Sequence, residues 1–401
     1  MCCLVLLNGF KVILKLASLS GIGKQWGMSR PYTILHFCEH FGGAEASLHG
    51  VARAFQWWVP LYDAQKFRVL LCSRKGPDKA HEEMVASGVT PLTLGYGKHD
   101  PRNFISLMRL MRREKVDLVH AHGFGACMWA RLAGHLTGTP VIVHGRCNYG
   151  TVPRIQRPVE RLLGPFTRYA LAVSESTRQF TIEKRHIPAD RVSVLYNGIL
   201  LERVPVATPA WIAAERERLG AGGDVIIGVL GRLESYKGHL DAFAAMQQLG
   251  ELPVQLWVIG DGSEMAALQA WVTREGMSDR IRLLGYRRDA IELIQCLDIQ
   301  LFPSHQEGTP NTLFEALAVG NAIVASTCDG QGEILEDGVT AGLFAPGDVD
   351  GMVEKLRALV ADADLRRERA AAAKQKSLDF DGHKTVQRME ALYLQILEPG
   401  A

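Results

Sequence analysis

The sequence predicts an α/β protein of two Rossmann-like, doubly wound parallel-sheet domains facing a central cleft. Three observations predict it. Apolar runs of strand length alternate with helix-period segments, the alternation breaks once at 203–222, and it then restarts with the same rhythm. Such alternation encodes parallel sheets with helices on both faces. A chain of 401 residues also has the length of two domains of ~100–200 residues each.

Along the chain, the first sheet is expected from PYTILHFC (31–38), FRVLLCS (67–73), DLVHA (117–121), PVIVH (140–144), YALAV (169–173) and VSVLY (192–196). Helices are expected near 44–56, 78–87, 102–114, 124–136 and 175–184. The break carries Pro205 and Pro209, a charged stretch long enough for one short helix, then Gly222 and Gly223, which marks a domain boundary. The second sheet is expected from DVIIGVLG (224–231), VQLWVI (254–259), IRLL (281–284), IQLF (299–302), AIVA (322–325) and AGLF (341–344). Its helices are expected near 237–249, 262–275, 288–296, 310–319 and 348–361, and 362–397 is charged and helix-prone.

Ligands of such sheets bind beyond the carboxyl ends of the strands, and the notable motifs follow strands. In SHQEGTPNTLFEALAVG (304–320), Thr309 is the expected N-cap, Pro310 the first helical residue and Gly320 the stop. Glu307 then lies in the loop and Glu315 in the helix. The free N–H groups of the helix start, around Gly308, Asn311 and Thr312, suit a phosphate. A carboxylate inside the helix can accept from the vicinal hydroxyls of a ribose. The bland alternative is a capped helix with solvated glutamates. In GRLESYKG (231–238), Arg232 and Lys237 flank a short loop and could neutralise a diphosphate without a metal. In FGGAE (41–45), Gly42 and Gly43 allow close backbone approach to a ligand, though a tight turn explains them equally well. In HAHG (120–123), His120 and His122 point to one face of a strand. A zinc pair lacks a third ligand at useful spacing, so His122 is expected to contact substrate and His120 to be structural. His144 and Arg146 could line the same cleft.

Composition narrows the class further. At 47% hydrophobic and 22% charged the chain is an ordinary globular sequence, and its net charge of +2 argues against bulk nucleic-acid binding. Eight cysteines form no CxxC pair and several sit in apolar runs, as expected of buried thiols in a reducing cytoplasm. The apolar stretch 3–19 is short and interrupted by Asn8, Lys11 and Lys15, which fits neither a membrane span nor a signal peptide. Met28 directly precedes the first strand, so 1–27 is expected to be an upstream extension, the rival being a short amphipathic anchor. The segment 102–115 sets Arg109, Arg112, Arg113 and Lys115 beside an apolar stripe, with Arg154, Arg157, Arg161 and the pair Trp57–Trp58 in the same domain. That pattern suits peripheral contact with an anionic membrane, or equally a surface helix packed on the sheet.

Taken together, these residues resemble glycosyltransferase family 4, which has the GT-B fold. The family's glutamate, seven residues, glutamate pattern matches Glu307 and Glu315 in EGTPNTLFE. Its GR…KG element matches Arg232, Lys237 and Gly238, its glycine loop Gly42 and Gly43, its HxH strand end His120 and His122, and its NG turn Asn197 and Gly198. The likeness spans about 31–361, with two departures. Ala322 replaces a common proline, and the family's GGxPE run reads Asp329-Gly330-Gln331-Gly332-Glu333, in a loop that helps shape the donor pocket.

The resemblance implies a retaining, metal-independent transferase with no cofactor. It would move a sugar from a UDP- or GDP-sugar to a glycan or lipid-linked acceptor. Glu307 would contact the donor sugar, Glu315 the ribose, Arg232 and Lys237 the diphosphate, and His122 the transferred sugar. Gly285 and Tyr286 would border the base. The expected divisions are an extension at 1–27, an acceptor domain at 28–202, a donor domain at 203–380, and a last helix at 381–401 that crosses back to the first domain. No nucleic-acid partner is expected, and the expected location is cytoplasmic, at the inner face of a membrane. A nucleotide-sugar epimerase, a sugar phosphorylase or a degenerate sugar-binding subunit of the same fold are the rivals, because fold alone does not decide function.

Overall fold

A computed structural model describes residues 30–42, 50–86, 88–97, 100–145, 152, 154 and 156–399. The expectations for 1–27, for Gly43 and for Arg146 lie outside the described residues. The first sheet has seven strands: β1 (Tyr32–Cys38), β2 (Phe67–Ser73), β3 (Leu92–Thr93), β4 (Leu118–His122), β5 (Val141–Gly145), β6 (Tyr169–Ala172) and β7 (Val192–Val194). They run parallel in the order β3-β2-β1-β4-β5-β6-β7. Its helices are α1 (Gly50–Trp58), α2 (Lys79–Ala86), α3 (Arg102–Arg113), α4 (Phe124–Thr137), α5 (Arg157–Leu163) and α6 (Glu175–Arg185).

After α7 (Pro209–Arg218) comes the second sheet: β8 (Val225–Leu230), β9 (Val254–Ile259), β10 (Ile281–Gly285), β11 (Ile299–Phe302), β12 (Ala322–Ser326) and β13 (Gly342–Phe344). Its strands are parallel in the order β10-β9-β8-β11-β12-β13. The remaining helices are α8 (His239–Gln248), α9 (Met265–Arg274), α10 (Ala290–Leu293), α11 (Asn311–Val319), α12 (Asp329–Ile334), α13 (Val349–Ala361), α14 (Ala363–Ser377) and α15 (Gly382–Leu397). Each strand named from the sequence is present within two residues. Both faces of the central strands are covered, so β1, β4 and β5 are buried throughout, which is why they read as plain apolar runs. The sequence reading lacked β3, α5 and α12, and the helix expected at 288–296 is a four-residue α10 continued by a 3-10 turn, Ile294–Cys296.

Strand order reverses between β1 and β4 in the first sheet and between β8 and β11 in the second. A crevice opens at such switch points. Phe41 and Gly42 follow β1, HAHG closes β4, and GRLESYKG and the Glu307 loop follow β8 and β11, so these segments sit at the two crevices. On the other side of the first sheet, the fully buried Glu160 of α5 takes Arg131 of α4 at 2.9 Å and Arg185 of α6 at 3.2 Å, tying three helices together.

The chain crosses back at its last helix. Ile199 bridges Asp381, and a Cβ on Gly198 would stand 2.5 Å from the Gly382 Cα, so glycine permits that approach. Val386, Met389 and Tyr393 of α15 then join Ile34, Trp58, Tyr62, Leu118 and Ile142 in one apolar cluster of the first domain. Asp63 N donates to Glu390 at 2.6 Å and Tyr32 OH to Glu398 at 2.8 Å. Trp58 is 2% exposed and Trp57 packs on two core clusters, so of the two readings the sequence allowed for this pair, the packed one fits and the membrane-interface one does not.

Candidate active site

On the donor side, two loops are locked together by glycine. Gly238 is left-handed at φ 70°, and a Cβ there would meet the Pro303 carbonyl at 2.0 Å. His305 N donates to Tyr236 O at 2.8 Å across the same seam. This contact brings the loops after β8 and β11 side by side and sets the Lys237 ammonium on the Glu307 carboxylate, both largely buried. Arg232 donates to the Tyr236 hydroxyl at 2.5 Å but keeps its side chain 65% exposed. His239 opens α8 just behind. Burial, then the Lys237 charge, pull its pKa down to about 4.

The helix start differs from expectation. Pro310 occupies the N-cap position and no side chain caps α11. Thr309 is not the cap: its hydroxyl donates to Val173 O at 2.7 Å, in the first domain. The hydroxyl is committed to a tertiary acceptor and does not accept from the helix's own N–H groups, so the first-turn N–H groups are left without a side-chain cap. Asn311 and Thr312 stand half-buried there, and the Asn311 side-chain oxygen accepts from Asn197 at 3.0 Å. Gly308 O accepts from Gly330 N at 2.9 Å, and a Cβ on Gly330 would lie 2.1 Å from that oxygen. Asp329, left-handed at φ 42°, accepts from Glu307 N at 3.0 Å. The segment that departs from the family pattern is therefore the segment that braces the Glu307 loop.

Glu315 is 1% exposed. Its Oε1 lies 3.2 Å from Arg53 Nη1 on α1, and its Oε2 is buried with no hydrogen bond among the described residues. Arg53, Trp57, Trp58, Gly198, Asn311 and Glu315 enclose a cavity of about 10 Å³, room for roughly one water. Arg53 was not singled out from the sequence; only the domain contact reveals it. At the end of β10, Gly285 is left-handed at φ 68° and Tyr286 is 39% exposed.

On the first-domain side, register assembles what spacing did not. His36 pairs with His120 across β1 and β4, and His122 with His144 across β4 and β5. The sequence offered no third ligand beside His120 and His122, and the sheet supplies His36: the ligand nitrogens of these three lie within 4.8 Å of one another. They pair off diagonally instead of converging. His36 Nδ1 meets His122 Nε2 at 3.0 Å, and His144 Nδ1 meets His120 Nε2 at 3.1 Å. His120 Nδ1 lies 2.7 Å from Tyr393 OH, while Tyr62 OH lies 3.3 Å from both His36 Nε2 and Tyr393 OH. His122 is 2% exposed and belongs to this network.

Gly42 is buried, and its carbonyl accepts from His40 at 2.6 Å. Burial, before any other influence, lowers the His40 pKa, which leaves the ring neutral near pH 7. The start of α4 is already filled: Ala126 N donates to Glu39 at 3.0 Å, Arg74 closes on that carboxylate at 2.7 Å, and a Cβ on Gly125 would come within 2.4 Å of it. Glu333 lies across the cleft on the start of α6, taking N–H groups of Glu175 and Ser176 at 2.7 and 2.9 Å and the Tyr196 hydroxyl at 3.0 Å.

Two doubly wound domains with cationic loops and an uncapped helix at the facing strand ends form the GT-B architecture of glycosyltransferases. Models of "Glycosyltransferase Family 4" and "Glycosyl transferases group 1" match residues 41–203 and 224–362. The chain belongs to glycosyltransferase family 4. It is 24% identical over 366 residues, 87% of this chain and 95% of the relative, to UDP-Gal:alpha-D-GlcNAc-diphosphoundecaprenol alpha-1,3-galactosyltransferase of Escherichia coli. It is 27% identical over 334 residues, 78% of each chain, to glycogen synthase of Mycobacterium tuberculosis. The crystal structure of Anabaena HepE with UDP and glucose shares the fold at TM-score 0.81 and 19% identity, covering 90% of this chain and 99% of that one.

Proposed function

We propose that this glycosyltransferase takes a hexosyl group from a UDP- or GDP-sugar, with retention and without metal, and transfers it to a glycan or lipid-linked acceptor. The observation that carries the reading is the Lys237–Glu307 pair held between the two donor-side loops. An arriving diphosphate takes Lys237 from Glu307 and leaves that carboxylate to the sugar. Arg232, exposed beside it, binds the same diphosphate. Charge developing on the leaving group in an oxocarbenium-like transition state falls on these cations and on the N–H groups at Gly308, Asn311 and Thr312. Glu315 takes the ribose, Tyr286 and Gly285 border the base, Gly42 and Gly43 let the first domain's loop approach, and His122 bonds the transferred sugar. UDP in the names of the E. coli relative and of the HepE complex supports a uridine donor.

The diphosphoundecaprenol acceptor of the E. coli enzyme supports a lipid-linked acceptor at a membrane's inner face. One surface favours it: α3 exposes Arg102, Arg109, Arg112 and Arg113 with Ile105, and α5 exposes Arg157 and Arg161 with Leu162. No helix among the described residues is long and apolar enough to cross a membrane. Flotation with anionic liposomes at low salt tests this surface, and absence of binding removes it.

Thermal unfolding with UDP, GDP and ADP, each with and without EDTA, tests the donor reading. A ligand at ~100 times its Kd adds ~2.7 kcal/mol. A shift with UDP or GDP that survives EDTA supports the proposal, and a shift with ADP alone overturns the choice of donor. A shift lost with EDTA overturns metal independence, and no shift with any nucleotide overturns the donor reading.

A further inference from the structure

Among the described residues, the non-glycine residues with a left-handed backbone are Lys115, His186 and Asp329. Lys115 and His186 follow the last turns of α3 and α6, where a left-handed residue is a common way to stop a helix. Asp329 is different: it opens α12, at φ 42°. Glycine would take this backbone without strain, so a side chain kept there points to a use for it. The use is a hydrogen bond, from Glu307 N to Asp329 Oδ2 at 3.0 Å.

Glu307 belongs to the loop 303–310 between β11 and α11, which has no strand ladder or helix of its own. The segment 326–330 holds that loop at three points. Ser326 Oγ donates to Ser304 O at 2.6 Å, Glu307 N donates to Asp329, and Gly330 N donates to Gly308 O at 2.9 Å. The last two grip the backbone just before the Glu307 Cα and one residue beyond it, so they set the direction in which that side chain leaves the chain. The support is itself fixed, as a positioning group requires. Gln331 is fully buried, Ile334 and Leu335 join the apolar cluster of α11, and Glu333 bonds the start of α6.

The Glu307 carboxylate has a second hold, on Lys237. In the reading above, an arriving diphosphate releases it. The backbone hold then remains, and a carboxylate bonds an N–H more strongly than a neutral oxygen does. We propose that Asp329 is a positioning residue for the transfer step: through the Glu307 N–H it keeps the Glu307 carboxylate on the donor sugar once Lys237 has turned to the diphosphate. The inference rests on that reading of Glu307 and Lys237. A residue acting at this stage governs kcat, whereas donor binding, carried by Lys237 and Arg232, stays nearly as it was.

Asp329→Gly and Asp329→Asn in the full-length protein test it. Glycine accepts the left-handed backbone but offers no oxygen. Asparagine tolerates that backbone and keeps a neutral acceptor. Turnover is followed as UDP released from UDP-galactose, the donor named for the E. coli relative. In Asp329→Gly, kcat should fall ~10–100-fold with donor KM nearly unchanged. Its Tm should hardly move, because the lost bond and the relieved backbone act in opposite directions. The Glu307 amide should exchange faster with deuterium, and Asp329→Asn should recover most of kcat. Full kcat in Asp329→Gly overturns the inference, as does unchanged exchange at Glu307. A joint loss of kcat and Tm, with asparagine no better than glycine, assigns Asp329 to folding and also overturns it. Glu307→Gln separates the two layers. If it works at the full rate, the reading of Glu307 fails and the positioning role fails with it; if it is inactive while Asp329→Gly is fully active, only the positioning role fails.

Discussion

Glu333 of the second domain accepts the backbone N–H of Glu175 in the first, at 2.7 Å, and so supplies a carboxylate to a helix whose own N-cap, Ser174, serves Thr177. The pairing favours adjacency of the two domains through the partial positive charge of a helix start. Glu333 is exposed, so the energy is small, about 0.3–1 kcal/mol. Glu333→Gln should shift the domains towards open forms by roughly 2–5-fold, less at high salt, and small-angle scattering of the ligand-free protein would detect it. No change at low salt would mean that the contact does not bias closure.

Lys237 bears on chemistry more directly. Lys237→Ala removes the cation that Glu307 holds in place. Loss of one preorganised donor of transition-state charge costs ~10²–10³ in rate, so transfer should fall by that much while circular dichroism is unchanged. A variant with full activity would remove Lys237 from the mechanism.

Arg53 and Glu315 test the seam between the domains. Arg53→Ala strands a carboxylate that is 1% exposed. Removing one partner of a buried pair costs ~3–5 kcal/mol, and the partial exposure of Arg53 places this variant near the lower figure. Arg53→Ala/Glu315→Ala should lose less than the two single variants added together, as a denaturation cycle would measure. Strict additivity would show that the pair is not coupled.

His239 gives stability a pH signature. Its folded pKa of about 4 lies below the ordinary 6.5, so between those values the unfolded chain binds a proton that the folded one refuses. Stability from this group is complete above pH 6.5 and falls as pH drops towards 4, by up to ~1.4 kcal/mol per pH unit. His239→Gln should flatten that slope in urea titrations at pH 4.5 to 6.5; an unchanged slope would assign the acid loss to other groups.

The sheets were legible because strands buried on both faces are written as continuous apolar runs. The short elements were not. β3 has two residues, α5 has seven with a proline at its start, and α12 carries two glycines. Thr309 misled for a sharper reason: capping rules see only the next turn, whereas its true acceptor, Val173, is 136 residues away. Arg53 meets Glu315 across 262 residues, and His36 reaches His122 only through strand register, so no local pattern announces either contact.

The docking of α15 bears on how the protein is made. The first sheet ends at β7, near residue 194, yet the helix that covers Ile34, Tyr62 and Leu118 spans Gly382–Leu397. At ~5–20 residues per second, a ribosome needs about ten to forty seconds to synthesise the intervening chain. Throughout that interval the apolar side chains of the first domain that this helix covers have no partner from it, and they are covered only after synthesis has reached the final helix.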